Sequence, residues 1–298
     1  MKILITGATG MLGRVLTKTL SQKTEYIIYA VSRKNQKDKF DNGVINWLCF
    51  DLTNLIELAK TISLLKPDLI IHCAAVVNVD QCEEMKDYVD SLNKGFIDIV
   101  SFNSPNTKII FVSSDSVFDG VSGNYLEADE TEPLNYYAKS KVDAEEKLIN
   151  SELNYLILRT NIFGYHLPKS SSLVEWAIEK LSKSEKIGGF NDVYFNPLYV
   201  DQLSEIILKL IDLKVEGIIN IASDTKLNKY DFLLEIAEVF GFDKKLIEKK
   251  SVNEFDFKAI RPENTTLNTG LLNKIIGFTP SLKDGIKKMY FDYLNDSL

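Results

Sequence analysis

The sequence predicts an α/β protein: a doubly wound parallel sheet carrying a smaller C-terminal lobe. Three observations point to it. Short, near-continuous apolar runs alternate with longer amphipathic segments through the first 160 residues, as expected for parallel strands buried on both faces and joined by crossover helices. A turn rich in glycine, Thr6-Gly7-Ala8-Thr9-Gly10-Met11-Leu12-Gly13, directly follows the first apolar run and opens the first amphipathic segment. The 298 residues suit one large α/β domain with an added lobe, and no Pro/Gly/Ser linker, repeat or low-complexity tract divides them.

Taken in order, strands are expected at residues 2–6, 26–32, 47–50, 69–73, 108–113 and 155–159. Helices are expected between them at 11–21, 55–65, 83–102 and 136–150. Residues 118–134, with Gly120, Gly123 and many acids, read as a large polar loop. The second half is less regular: helices at 171–181, 200–211 and 229–240, a strand at 218–221, and an amphipathic terminal helix at 282–294. The expected division is a nucleotide-binding sheet over 1–160, with 197–222 a candidate to return to it, and a substrate lobe over 161–298.

Composition narrows the function. A net charge of −7 without a basic segment argues against a nucleic-acid groove. Two histidines and three cysteines in no ligand spacing argue against a zinc site, and no metal is expected. The odd, low cysteine count suits a reducing compartment. No apolar run approaches the ~20 residues that span a bilayer, and the first is too short for a signal-peptide core. A soluble, cytoplasmic chain with no membrane partner is therefore expected. Only Arg14, Arg33, Arg159 and Arg261 among the 35 cations are arginine, so each is a position to inspect for planar, bidentate contacts.

The glycine turn points to a dinucleotide. Gly7 permits the tight turn, Gly10 lets backbone approach a pyrophosphate, and Gly13 lets the helix pack closely on the strand. The phosphates then meet the helix N-terminus. Where NAD-binding chains often carry an acid at the end of the second strand, this one reads Val31-Ser32-Arg33-Lys34. Arg33 and Lys34 suit a 2′-phosphate, with Ser32 donating a hydrogen bond, so NADP(H) is favoured and NAD(H) stays open. Asp51 is either an acceptor for the adenine amine or an N-cap for the helix at 55. Small residues at Cys73, Ala74 and Ala75 allow a cofactor to lie against backbone, and His72 reads as a satisfied core histidine.

Two further features suggest chemistry. The fifth strand ends Val112-Ser113-Ser114-Asp115-Ser116, and strand C-terminal ends form the ligand crevice in this architecture. Tyr137 and Lys141 stand four apart on a predicted helix and so share a face. An adjacent ammonium favours a phenolate, and a phenol so tuned can give a proton to a carbonyl oxygen as hydride arrives at carbon.

With these residues in place, the chain resembles the extended short-chain dehydrogenase/reductases over essentially its whole length. The resemblance rests on the glycine turn, residues 72–75, Asn93, Ser114, Tyr137 and Lys141. It implies a Rossmann-type sheet on which Ser114 binds the substrate oxygen, Tyr137 is the acid/base, Lys141 holds the nicotinamide ribose, and Asn93 supports the network. It implies cofactor contacts at Gly7, Thr9, Gly10, Met11, Leu12, Gly13, Ser32, Arg33, Lys34, Asp51, Leu52, Cys73, Ala74, Ala75, Val112, Tyr137 and Lys141. Substrate contacts would fall at Val77, Ser114, Ser116, Tyr137, Asn161 and Arg261, the last near a substrate diphosphate or else in a cap or ion pair.

Within that family the segment 113–120, Arg159-Thr160, Pro197 and Arg261-Pro262 are similar to the dTDP-4-dehydrorhamnose reductases, which reduce the 4-keto group of a nucleotide-linked 6-deoxy sugar. Ser116 stands where that branch has tyrosine, Asn268 where it has aspartate, and 161–166 lacks its tryptophan. The expected partner is a nucleotide-sugar, with a homodimer left open. The rivals are a 4-epimerase that retains NAD and a non-catalytic, cofactor-binding regulatory subunit. A 4,6-dehydratase would need a second acid where Ser116 follows Asp115.

Overall fold

In the computed structural model, residues 1–23, 26–36 and 44–297 are described. Among them, seven strands form one parallel sheet: β1 (Lys2–Thr6), β2 (Ile27–Ser32), β3 (Ile45–Cys49), β4 (Leu69–His72), β5 (Lys108–Val112), β6 (Tyr155–Thr160) and β7 (Gly217–Ile221), in the order β7-β6-β5-β4-β1-β2-β3. Alternate side chains of each strand enter different cores. Ile3, Ile5, Ile71 and Leu158 join one, while Leu4, Ile70, Ile109 and Ile157 join the other. Burial of both faces explains why the strands read as continuous apolar runs.

One face is covered by α1 (Met11–Lys23) and, later in the chain, by α8 (Val200–Asp212), with Leu12 and Leu16 packed in the same core as Leu203 and Ile207. The other face is covered by α2 (Leu55–Leu65), α5 (Phe96–Asn103) and α6 (Tyr136–Ile149). The strand expected at 218–221 is β7, paired in parallel with β6. The third strand begins two residues earlier than its apolar run suggests, because Ile45 already pairs with Ile28.

The single helix expected over 83–102 is instead divided. α3 (Val79–Glu84) begins early because the Asn78 side chain caps it, accepting from the Gln81 N–H at 3.1 Å. At Met85 the backbone leaves the helical region, and α4 (Lys86–Asp90) follows. Residues Ser91–Gly95 then form a π-turn before α5. The wider turn re-phases the helix, so that Asn93 is buried along with Leu92, Phe96 and Ile97.

Later in the chain, α7 (Leu173–Ser182) and α9 (Lys229–Phe240) pack together beside short paired strands, while α10 (Gly270–Ile276) packs on β7, with Leu272 and Ile276 in the core of the main sheet. The terminal helix α11 (Leu282–Ser297) returns to the main body: Ile286 and Met289 are buried, and Tyr199 donates to Asp292 at 2.8 Å. Among the described residues, no helix is long and apolar enough to cross a membrane.

Candidate active site

The site lies at the C-terminal ends of β1, β2, β4 and β5. At β1 the chain turns through Gly7, whose φ is +63°. A side chain at Gly7 would stand 2.7 Å from the Ala74 backbone, and one at Gly13 would stand 2.1 Å from the Gly7 carbonyl. The fold itself thus demands glycine at both positions. Gly10 differs: its added Cβ would meet only the Gly7 carbonyl, at 3.2 Å, and otherwise open space. The fold makes little demand on that position, whereas a phosphate resting on the turn would need it bare. The residues present therefore fit a dinucleotide.

Beside the turn is a cleft of about 670 Å3, lined by Thr9, Arg14, Lys18, Arg33, Lys34 and Trp47 and, from the later chain, Leu167, Pro168 and Asp296. Arg33 and Lys34 are exposed at its edge. The Ser32 hydroxyl donates to the Lys34 carbonyl at 2.5 Å, so its proton is engaged in shaping the basic turn rather than offered outward. Arg14, which the sequence left without a role, is buried, faces Asp296 at 3.7 Å and lies over the Tyr165 ring.

At the end of β3 the choice for Asp51 is settled against the cap: Asn54 caps α2, accepting from Glu57. Asp51 accepts from the Thr53 N–H at 3.0 Å and from the Tyr88 phenol at 3.3 Å. Partial burial would raise its carboxyl, but those hydrogen bonds and the Arg33 charge hold it low. Leu52 is buried beside it. Tyr88 was not anticipated, since nothing in its local sequence marks it.

At β4, His72 is fully buried, stacked on Phe96 with ring centroids 4.0 Å apart and bonded through Nδ1 to the Thr6 hydroxyl at 2.9 Å. Burial and the Lys141 charge push it well below the usual histidine range, so it is neutral. Cys73, Ala74 and Ala75 follow without bulk.

At β5 the site becomes chemical. The N-cap of α6, Asn135, accepts from Ala138 and fixes the turn that carries Tyr137. Burial pushes the Tyr137 phenol up to about 12, and the nearby Ser114 hydroxyl only partly opposes this. This reverses the depression that the Tyr–Lys spacing predicts. Lys141 is 2 % exposed, donates to the Val112 carbonyl at 3.0 Å, and lies over the Phe111 ring. Burial lowers its ammonium to about 8. Asn93 donates to Ser140 at 3.0 Å, and Ser140 donates to the Tyr137 carbonyl at 2.7 Å. The expected support from Asn93 thus reaches α6 through Ser140.

Asp115 is the residue whose weight the sequence understated. It is buried and accepts from Ser114 at 3.2 Å, Ser116 at 3.3 Å, Asn161 at 2.9 Å and Thr265. Burial raises its carboxyl against the pull of those bonds. Lys229, at the start of α9, is also close: burial lowers its ammonium, Asp115 opposes this, and Arg261 adds to it. Arg261 pairs with Asp80 at 2.7 Å, and its Nη1 is buried without a partner among the described residues. Val77 is exposed beside α3. Of the side chains anticipated for catalysis and substrate, Ser116, Asn161 and Tyr137 meet Ser114 or Asp115, whereas Lys141 is held on Val112, Asn93 on Ser140 and Arg261 on Asp80, and Val77 is exposed.

The chain matches the RmlD substrate binding domain family over residues 1–295 and belongs to it. It is 28 % identical to a probable low-salt glycan biosynthesis reductase, Agl14, of Haloferax volcanii, over 95 % of each chain. It is 26 % identical to methionine adenosyltransferase 2 subunit beta of Mus musculus, over 99 % of this chain and 89 % of that protein. Among solved structures it is similar to a hypothetical dTDP-4-dehydrorhamnose reductase from Sulfolobus tokodaii, with a TM-score of 0.82 and 30 % identity over 96 % of this chain and 99 % of that one.

The glycine turn makes a separable prediction. Gly13→Ala should cost about 1–3 kcal/mol of stability through overpacking, seen as a lower thermal midpoint. Gly10→Ala should melt near the wild type yet bind NADPH at least about tenfold more weakly by fluorescence titration. Equal effects on melting from both variants would refute the assignment.

Proposed function

We propose that this member of the RmlD substrate binding domain family reduces the 4-keto group of a nucleotide-linked 6-deoxy sugar with NADPH, in the synthesis of a cell-surface glycan. The observation that carries the reading is the gathering of Tyr137, Ser114 and Lys141 at the end of β5, beside a glycine turn bare at Gly10. A bound nicotinamide would supply the hydride. The chain supplies the rest: Ser114 orients the carbonyl oxygen, and Tyr137 delivers the proton to it. Lys141, anchored on the Val112 carbonyl, would hold the ribose. Arg33 and Lys34 at the cleft edge, where the second strand ends without an acid, support a 2′-phosphate. Arg261 suits the substrate diphosphate: Asp80 takes Nη2, and the Nη1 N–H groups are left to donate to an anion.

The likeness to the methionine adenosyltransferase subunit favours a second reading, a cofactor-binding partner without turnover. The two readings differ in one assay. A panel of dTDP-, GDP-, UDP- and CDP-linked 4-keto-6-deoxy sugars should include one that the protein reduces with NADPH. Tyr137→Phe should abolish that turnover and leave NADPH binding nearly intact; wild-type turnover in the variant would sink the mechanism. Protein purified with stoichiometric NAD would instead favour the epimerase.

The pH profile carries its own sign. Tyr137 keeps its proton until about 12, so the acid is loaded throughout the working range. Lys141 is an ammonium below about 8 and neutral above it. Reductive kcat/KM should therefore be flat at neutral pH and fall with one proton's slope as pH rises through about 8. A fall on the acid side of neutrality without one near 8 would contradict the assignment.

Replacing Arg33 and Lys34 together by alanine should raise the NADPH KM by about 10–100-fold and leave that for NADH nearly unchanged. Equal losses for both cofactors would refute their role at the 2′-phosphate.

A further inference from the structure

On α6, Tyr137, Lys141 and Glu145 recur every four residues and so share one face. Across from them the end of β5 and the chain beyond it run Val112, Ser113, Ser114. The contacts are in register: Lys141 donates to the Val112 carbonyl, the Ser113 hydroxyl donates to Glu145, and Ser114 acts on the Tyr137 phenol.

Glu145 itself cannot turn. It is 2 % exposed, and Arg159 of β6, 4 % exposed, grips it through Nε at 3.0 Å and Nη2 at 2.7 Å. Arg159 is held in turn by the Glu127 carbonyl at 3.1 Å and lies over the Phe118 ring. A buried ion pair is weak evidence for stability, since well-packed apolar residues often serve as well. What this pair adds is an oriented acceptor for Ser113 and a negative charge near Lys141.

We propose that Glu145, clamped by Arg159, is a positioning residue for the reaction: it fixes Ser113, and with it the Val112 carbonyl and the Ser114 hydroxyl that meet Lys141 and Tyr137. The inference rests on the reading of Ser114, Tyr137 and Lys141 as the reaction site. Small displacements of reacting groups carry large rate penalties, which is why one hydroxyl between two site residues matters. Burial lowers the Lys141 ammonium and Glu145 opposes that shift, so the same carboxylate also tunes its neighbour.

The test uses Ser113→Ala, which removes only the hydroxyl, and Glu145→Gln, which keeps the shape and removes the charge. With NADPH and the 4-keto sugar nucleotide that the wild type reduces best, Ser113→Ala should lower kcat about tenfold, with sugar KM, NADPH Kd and melting little changed. Glu145→Gln should move the basic limb of the pH profile below its wild-type position near 8. If Glu145→Gln does not fold, Ser113→Ala decides alone. Wild-type kcat in Ser113→Ala, beside an inactive Tyr137→Phe, overturns the positioning role while leaving the reaction site standing. An active Tyr137→Phe removes the reading beneath it and the proposal together.

Discussion

Gly13 sits against the carbonyl of Gly7 with no volume for a methyl group between them, and Gly7 is pressed in the same way on Ala74. These two contacts fix how the first helix meets the sheet. They bring the start of α1 over the ends of β1 and β4, so its unpaired N–H groups face the crevice. β5 adjoins β4 and ends level with it, which places Ser113 and Ser114 beside the same crevice. The site needs nothing more elaborate than this to bring a helix N-terminus and a hydroxyl-bearing strand end together. A bulkier residue at either glycine would tilt α1 and open the distance between them.

Early and late parts of the chain are tied by polar groups as well as by apolar packing. Asp115 gathers Ser114 and Ser116 from its own turn, Asn161 from beyond β6, and Thr265 from the late chain. A buried carboxylate is costly unless its lone pairs are filled, so this hub holds its partners strongly to one geometry. Glu175 is a second, local hub nearer the cleft. It accepts from the His166 and Ser170 backbone and from the His166 ring at 2.7 Å, and so shapes the segment that brings Leu167 and Pro168 to the cleft wall. The segment's departure from the tryptophan-bearing pattern is thus accompanied by a His–Glu anchor.

What was legible in the sequence follows from which interactions are local. Burial on both faces leaves continuous apolar runs, a strand-to-helix turn leaves its glycines, and a shared helix face leaves a four-residue spacing. The break in the helix expected over 83–102 left no such mark, because the π-turn at Ser91–Gly95 is set by what Asn93 and Phe96 meet in the core. The cap at α2 was left open at Asp51, and the structure gives it to Asn54, a near neighbour that only side-chain direction separates from it. Thr265 and Lys229 carried no signal at all: Thr265 meets Asp115 across 150 residues of chain, and Lys229 is defined by its charged surroundings. Arg261 was legible as a special cation, but not its partner Asp80.

The electrostatics of the site run against the simple account of a lysine that acidifies a tyrosine. Burial acts on both groups and drives them apart, raising the phenol to about 12 and lowering the ammonium to about 8. Lys141 bonds the Val112 carbonyl and lies over Phe111, so its charge is anchored on backbone and ring. A phenol raised in this way stays protonated at neutral pH but is a weaker acid than free tyrosine, so it gives up its proton only as charge builds on the acceptor. In a dry site the developing oxyanion of a reduced carbonyl gains more from such a donor than it would in water, where solvent competes for the same bond. A catalyst speeds both directions alike, so direction lies with cofactor and substrate; what burial sets here is the protonation state of the pair, a neutral phenol beside an ammonium that is lost above about 8.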